Sequence, residues 1–334
     1  MGDPMRQLQA LATAGLLGTP TPLHQLPRLS AATGTDWWIK RDDVGPVALA
    51  GNKLRKFDLV LGQALHDGAD LLITTGAAQS NAARAGAAAA AHLGLECRLL
   101  LAGPAPAAAT ANTLLDELLG ARIDFLPDAG WAELEEAVEA AAEDARAAGR
   151  RPAVAPVGCS SPLGALGFAL AYLELRAQCR DLDLPEITIL HASSSLGTHA
   201  GLLVGRALLG EATPIIGIDV AAIAEDPDTA AARLAQQAAA LIGLELPNPG
   251  PRIETGFLGP GYGVPDAATA AAIDLLARTE AVITDPVYSG KGAAGALALA
   301  PQLDGPVVFW HTGGYHALFD PPHAAALAAA RQRT

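Results

Sequence analysis

Three glycine-bearing clusters hold the residue types that could seat a small anionic molecule and act on it. The first, Ala50-Gly51-Asn52-Lys53-Leu54-Arg55-Lys56, follows the strand-like stretch Trp37–Asp43. A lysine at a helix start, beside glycine and with more cations within a turn, has its ammonium form disfavoured by the positive helix end and by its neighbours. That suits an amine nucleophile, although a solvated basic helix end would carry the same residues. The second, Ser193-Ser194-Ser195-Leu196-Gly197-Thr198-His199-Ala200-Gly201, comes directly after the apolar run Ile187–His191. A strand, a Ser/Gly/Thr loop and then a helix aim free backbone amides at a phosphate. The loop lacks the lysine of a Walker A sequence, and no G-x-G-x-x-G follows a strand, which argues for a ligand smaller than a nucleotide. An ordinary capped turn would look alike. The third, Thr75-Gly76-Ala77-Ala78-Gln79-Ser80-Asn81, repeats the pattern with a hydroxyl and two amides. Such a helix start suits a carboxylate, or is simply a helix capped by Ser80.

The elements that must position these clusters alternate along the whole chain. Strands are predicted at Trp37–Arg41, Leu71–Thr75, Cys97–Leu101, Ile123–Leu126, Val154–Val157, Ile187–His191, Ile215–Val220, Ala281–Thr284 and Val307–His311. Several are continuous apolar runs, as expected of strands covered on both faces of a parallel sheet. Helices are predicted at Ser80–Leu93, Thr110–Leu119, Trp131–Ala148, Leu163–Gln178, Asp226–Ile242, Asp266–Glu280 and Pro322–Arg331. The alternation implies an α/β fold with parallel sheets. The alanine runs fall within these helix-length segments, as befits the best helix former. At about 150 residues per domain, 334 residues make roughly two domains. The Pro/Gly-rich connectors are too short for a free interdomain linker, so two domains must share crossings or one must be inserted in the other.

Composition removes several function classes. With 51% hydrophobic and 17% charged residues, the chain is not of the disordered class. A net charge of −13 argues against a nucleic-acid partner, which needs a clustered basic face. No apolar run reaches the roughly 18 residues of a membrane span. The stretch Ala85–Ala107 is broken by His92, Glu96 and Arg98, and Pro152–Leu173 by prolines and serines. Met1–Thr19 lacks the basic start and cleavage site of a signal peptide. Cys97, Cys159 and Cys179 are too few for a disulfide scaffold and too scattered for a zinc site, which fits the reducing cytoplasm. No metal site is expected. His311 and His316 are read as structural, the acidic run Glu133–Asp144 as a solvated helix face, and Trp37 and Trp38 as core or sheet-edge aromatics.

In their order along the chain, these segments resemble the fold-type II pyridoxal-phosphate enzymes, tryptophan synthase β-like in fold. The branch resembled is that of the D-cysteine desulfhydrases and aminocyclopropane-carboxylate deaminases. The resemblance is carried by Lys40–Asp43, Gly51–Lys56, Thr75–Asn81, Pro156–Gly158, Leu163–Gly167, Leu196–Gly201, Asp285–Gly292 and His311–Gly314, and runs from about Thr19 to Phe319. It implies pyridoxal 5'-phosphate as cofactor, with Lys53 as the lysine bound to it. Asn81 would meet the ring hydroxyl and Ser80 the substrate. Lys56 with the amides of Leu196, Gly197 and Thr198 would form the phosphate cup; His199, within that loop, is read either as a cofactor contact or as a packed histidine. Tyr262 and Tyr288 would flank substrate and ring, and Ser289 and Thr312 would lie nearest the pyridine nitrogen. It also implies a larger cofactor domain, residues 1–47 and 161–334, a smaller inserted domain, 48–160, and a homodimer.

Ser289 chooses within the branch. The ring-opening deaminases resemble one another in having Glu after this tyrosine, where a carboxylate keeps the pyridine nitrogen protonated and deepens the electron sink. A hydroxyl there suits β-elimination from a small sulfur-containing amino acid, giving pyruvate, ammonia and sulfide, with Lys53 taking the Cα proton. The alternatives are an L-cysteate sulfo-lyase, an aminocyclopropane-carboxylate deaminase, another lyase or racemase using the same cofactor, and a catalytically inactive binding protein. Ala82, Ala85 and Gly103–Asn112 depart from the family pattern on the substrate side.

Overall fold

The computed structural model describes residues 2–47, 49, 51–184 and 186–333. Ala50, at the head of the first cluster, and the domain limits at residues 1, 48 and 334 lie outside the described residues. The chain begins α1 (Pro4–Gln9), β1 (Leu23–Gln25), α2 (Pro27–Thr33), β2 (Trp37–Arg41), α3 (Lys53–His66), β3 (Leu71–Ala77) and α4 (Asn81–Leu93). It continues β4 (Glu96–Ala102), α5 (Ala111–Leu118), β5 (Arg122–Leu126), α6 (Trp131–Ala147), β6 (Pro152–Ala155) and α7 (Pro162–Asp181). Then come β7 (Thr188–Ser193), α8 (Gly197–Leu208), β8 (Ile215–Asp219), α9 (Pro227–Leu241) and β9 (Ile253–Glu254). Last are α10 (Ala267–Glu280), α11 (Ser289–Leu299), β10 (Val307–His311) and α12 (Pro321–Arg331).

Two sheets organise the molecule. One has the order β1-β2-β10-β7-β8-β9 and the other β5-β4-β3-β6. Every pairing within them is parallel except β1 on β2, so the larger sheet is mixed at that edge. Period-2 alternation explains the apolar runs. In β10, Val308 and Trp310 face α7, α8 and α9, while Val307 and Phe309 face α2, α10 and α11. The smaller sheet works the same way, with Leu72 and Leu99 against α3 and α4 and Ile73 and Leu100 against α6. The six acidic residues from Glu133 to Asp144 are exposed on α6, Trp37 is a core residue and the three cysteines are buried and free.

Two expected strands change. Ala281–Thr284 is not a strand: Ala281 caps α10 in the left-handed conformation and the Ile283 carbonyl meets the His311 ring at 2.8 Å, so the segment enters no ladder. The strand expected over Val154–Val157 stops at Ala155, because Pro156 has no N–H to donate and Val157–Cys159 turns.

Helix α3 carries the first cluster and sits between the two sheets. It crosses α7 closely: a Cβ on Gly167 would lie 2.0 Å from the Arg55 carbonyl oxygen. Arg55 then sets its rotation. The buried guanidinium donates to both oxygens of Asp42 at 2.8 and 2.9 Å and to Glu174 on α7 at 3.0 Å. Lys40 from β2 pairs with the same Glu174, and the Trp310 indole donates to Asp42 at 2.8 Å. Removing one partner from such a buried pair leaves charge without compensation. The variant Asp42→Asn is expected to lower unfolding stability by about 3 kcal/mol, read as a shifted urea midpoint with unchanged slope.

Candidate active site

The C-terminal ends of parallel strands from both sheets open onto one cleft, where ligands of α/β proteins characteristically bind. Helices α3, α4, α8 and α11 all begin at its walls, so four positive helix ends converge there.

Lys53 opens α3. Its Nζ donates to Asn52 Oδ1 at 3.0 Å, and Asn52 Nδ2 donates to Thr198 Oγ1 at 3.0 Å, so Asn52 ties the lysine to α8. Burial lowers the Lys53 pKa from 10.5 to about 8, with the Arg84 charge acting in the same direction. Lys56, one turn on and fully buried, donates from Nζ to the Gly158 carbonyl at 3.2 Å and to Ser160 Oγ at 2.8 Å. Ser160 in turn donates to Ser195 Oγ at 2.8 Å. Burial, then the charge of Lys53, holds the Lys56 ammonium well below the usual lysine range, a setting that a bound anion would relieve.

Beside these donors, Leu196 adopts φ +64 and starts α8, whose first turn leaves amides without intrahelical acceptors. A Cβ on Gly197 would stand 2.7 Å from Ser160 Oγ and 2.9 Å from Lys56 Nζ, so glycine is what keeps this cradle open. An ammonium, two hydroxyls and a helix N-terminus form a donor set for a phosphate dianion. With a reactive amine in the same cleft, these residues fit pyridoxal phosphate.

Residues 15–313 match the family described as "Pyridoxal-phosphate dependent enzyme". The chain belongs to this family. It is 41% identical over 331 residues to the D-cysteine desulfhydrase of Salmonella schwarzengrund (strain CVM19633), covering 95% of this chain and 98% of that relative. The same figures hold for the D-cysteine desulfhydrase of Salmonella newport (strain SL254). A crystal structure of an ACC deaminase homologue superposes with a TM-score of 0.91 at 33% identity, over 99% of both chains. The processed form of threonine deaminase isoform 2 from Solanum lycopersicum shares the fold, with a TM-score of 0.66 at 17% identity over 100% of this chain and 90% of that one.

The other wall of this cleft comes from the third cluster. Ser80 caps α4, its Oγ accepting from the Ala82 and Ala83 amides at 3.2 Å each. Asn81 Oδ1 accepts from Asn112 Nδ2 at 3.0 Å, and Asn112 also donates to the Gln79 carbonyl at 2.8 Å. Gln79 reaches the Thr110 carbonyl and Asp320 at 3.1 Å each. Thr110 and Asn112, in the stretch that departs from the family pattern, therefore still hold the loop bearing Ser80 and Asn81. Opposite, the hydroxyls of Tyr262 and Tyr288 touch, with ring centroids 5.9 Å apart at 71°. Burial, then the neighbouring Tyr262, raises the Tyr288 pKa well above the ordinary value, and burial also raises that of Tyr262.

Lys53, Lys56, Ser80, Asn81, Leu196, Thr198, Tyr262, Tyr288 and Thr312 line the one cleft, and Gly197 borders it. Three details differ from expectation. The Gly197 amide is taken by the Ser195 carbonyl at 2.8 Å, which removes it from the free donors of the cup. His199 does not line the cleft: its Nδ1 lies 3.0 Å from His191 Nε2, and its Nε2 accepts from the Arg252 amide at 3.4 Å. Ser289 does not line it either, because its hydroxyl donates to Asp285 Oδ1 at 2.5 Å and accepts from the Asp285 amide at 2.9 Å.

Sequence reasoning gave no role to Asn52, Ser160 or Asp285, although the first and last stand within segments it singled out. Asp285 accepts the amides of Val287, Tyr288 and Ser289 at 2.8 Å each and so builds the turn that projects Tyr288. Trp131 and Ile223 also line the cleft, and nothing in their local sequence marks them.

Two measurements test this geometry. The variant Gly197→Ala should keep its fold but bind pyridoxal phosphate about 5- to 150-fold more weakly, since overpacking costs on the order of 1–3 kcal/mol. Cofactor-free protein should capture pyridoxal phosphate faster as pH rises and level off above about 8. The neutral amine is the attacking form, so a rate still climbing toward pH 10 would contradict the burial effect.

Proposed function

We propose that this enzyme catalyses β-elimination from a small sulfur-bearing amino acid, D-cysteine first among them, yielding pyruvate, ammonia and sulfide. The observation that carries the reading is the pairing of Lys53 with a cleft wall made of Ser80 and the start of α4. A chain 41% identical to D-cysteine desulfhydrases over 95% of its length supports it.

Pyridoxal phosphate, when bound, supplies an electron sink for the pair left at Cα. Lys56, Ser160, Ser195 and the start of α8 would hold its phosphate, and Asn81 and Thr312 would contact its ring. The Ser80 hydroxyl and the α4 N-terminus receive the substrate carboxylate. Lys53, with an amine that deprotonates near pH 8, takes the Cα proton. Tyr288 and Tyr262, kept protonated by burial, can hydrogen-bond the sulfur leaving Cβ. The released aminoacrylate takes up water and gives pyruvate and ammonia.

The likeness to an ACC deaminase homologue favours ring-opening deamination as the second reading. The higher identity to the D-cysteine desulfhydrases, 41% against 33%, weighs against it. The two sheets support two units, a larger one of residues 1–47 and 161–334 and an inserted one of 48–160, although Leu16 and Val47 pack in the core of the smaller sheet. A homodimer rests on analogy with the family, and a cytoplasmic setting on three free cysteines. No helix among the described residues is long and apolar enough to cross a membrane.

The test supplies D-cysteine, L-cysteine, L-cysteate and aminocyclopropane carboxylate to the holoenzyme and follows keto acid with sulfide or sulfite. Pyruvate and sulfide in equal amounts from D-cysteine is the expected result. Lys53→Ala should lower turnover by about 10³-fold or more and lose the visible cofactor band. Sulfite from cysteate, or 2-oxobutyrate from the cyclopropane substrate, would replace the reading.

A further inference from the structure

Lys291 is a buried lysine that the reaction does not use. It lies in the first turn of α11, three residues after Tyr288, and is 0% exposed. Both placements are unfavourable: the positive helix end repels a cation, and a buried ammonium needs partners. It finds them in another segment. Nζ donates to the carbonyl of Leu258 at 2.5 Å and to that of Gly261 at 2.7 Å. The carboxylates of Asp266 and Asp285 are the charged groups that favour its ammonium form against burial.

The partner segment is the one that carries Tyr262. Residues 256–265 hold four glycines and two prolines, and apart from Phe257, which packs against the core at α11, and the buried Pro265, little side-chain burial sets the course of the segment. Tyr262 itself is 39% exposed, so packing alone does not hold it. The Gly261 carbonyl, immediately before Tyr262, accepts from Lys291 and also from the Val264 amide at 3.2 Å. Tyr288, meanwhile, is the N-cap residue of the helix that Lys291 belongs to.

We propose that Lys291 is a positioning residue whose ammonium clasps the 256–265 loop to the first turn of α11 and so sets Tyr262 against Tyr288. The assignment rests on the reading that this tyrosine pair serves the reaction, and its test separates the two. In holoenzyme carrying Lys291→Met, amide hydrogen exchange over residues 256–265 should rise by about tenfold, while α8 and the visible cofactor band stay as in the wild type. The kcat/KM for D-cysteine should fall to that of Tyr262→Phe, and the double variant should be no worse. Methylammonium should restore part of the loop protection in Lys291→Ala.

Unchanged exchange over 256–265 in Lys291→Met would overturn the clasp. So would a uniform rise across α11 and the larger sheet, which marks general destabilisation. Should Lys291→Met yield no folded holoenzyme, Lys291→Gln carries the test, since its amide keeps a donor for the carbonyls but no charge. Wild-type turnover in Tyr262→Phe would instead remove Tyr262 from the reaction and leave the clasp to be judged by exchange alone.

Discussion

Three cations lie within four residues at the start of α3, and much of the structure is arranged to satisfy them. Arg55 is held by Asp42 and Glu174, Lys56 by Gly158 and Ser160, and Lys53 by Asn52. Successive helical residues point about 100° apart. Once Arg55 is locked toward β2 and α7, and Lys56 toward the turn after β6, Lys53 must face the cleft. The Lys53 amine is thereby placed by its neighbours' partners more than by its own.

The same helix joins two sheets that otherwise have separate cores. Arg55 reaches the larger sheet through Asp42, whose carboxylate also receives the Trp310 indole of β10. Lys56 reaches the segment that leaves the smaller sheet. Helix starts from both sides then meet around one space, and their dipoles make it attractive to anions. The net charge of −13 does not describe this cleft. What matters there is the local set of amides, ammonium groups and hydroxyls, because screening and distance remove the rest.

The parallel architecture was legible because a strand covered on both faces must be largely apolar, as β10 is from Val307 to Trp310. The caps were legible for a similar reason: Ser80 and Asp266 sit where helix starts need acceptors. Misreadings fell where a segment's fate depended on a distant partner. Ala281–Thr284 has strand-like residues, yet its neighbours are a left-handed cap and the His311 ring. Ser289 has the hydroxyl expected of a ring contact, but Asp285 claims it first. His199 belongs to the phosphate loop in sequence and to the β7 side of α8 in space, where His191 meets it.

By itself, the sequence determined the α/β class, the strand–loop–helix units and the lysine at a helix start, because these depend on periodicity, caps and glycines within a few residues. Only the tertiary structure decided which of several lysines is poised and which is structural. Lys53, Lys56 and Lys291 each stand in the first turn of a helix. They differ in what folding brings opposite them: an amide and an open cleft, a pair of hydroxyl-bearing loops, or the carbonyls of a glycine-rich segment. An ammonium's chemistry follows from its burial and its partners. Burial comes from the whole fold, and the partners of Lys56 and Lys291 come from segments far away in the chain.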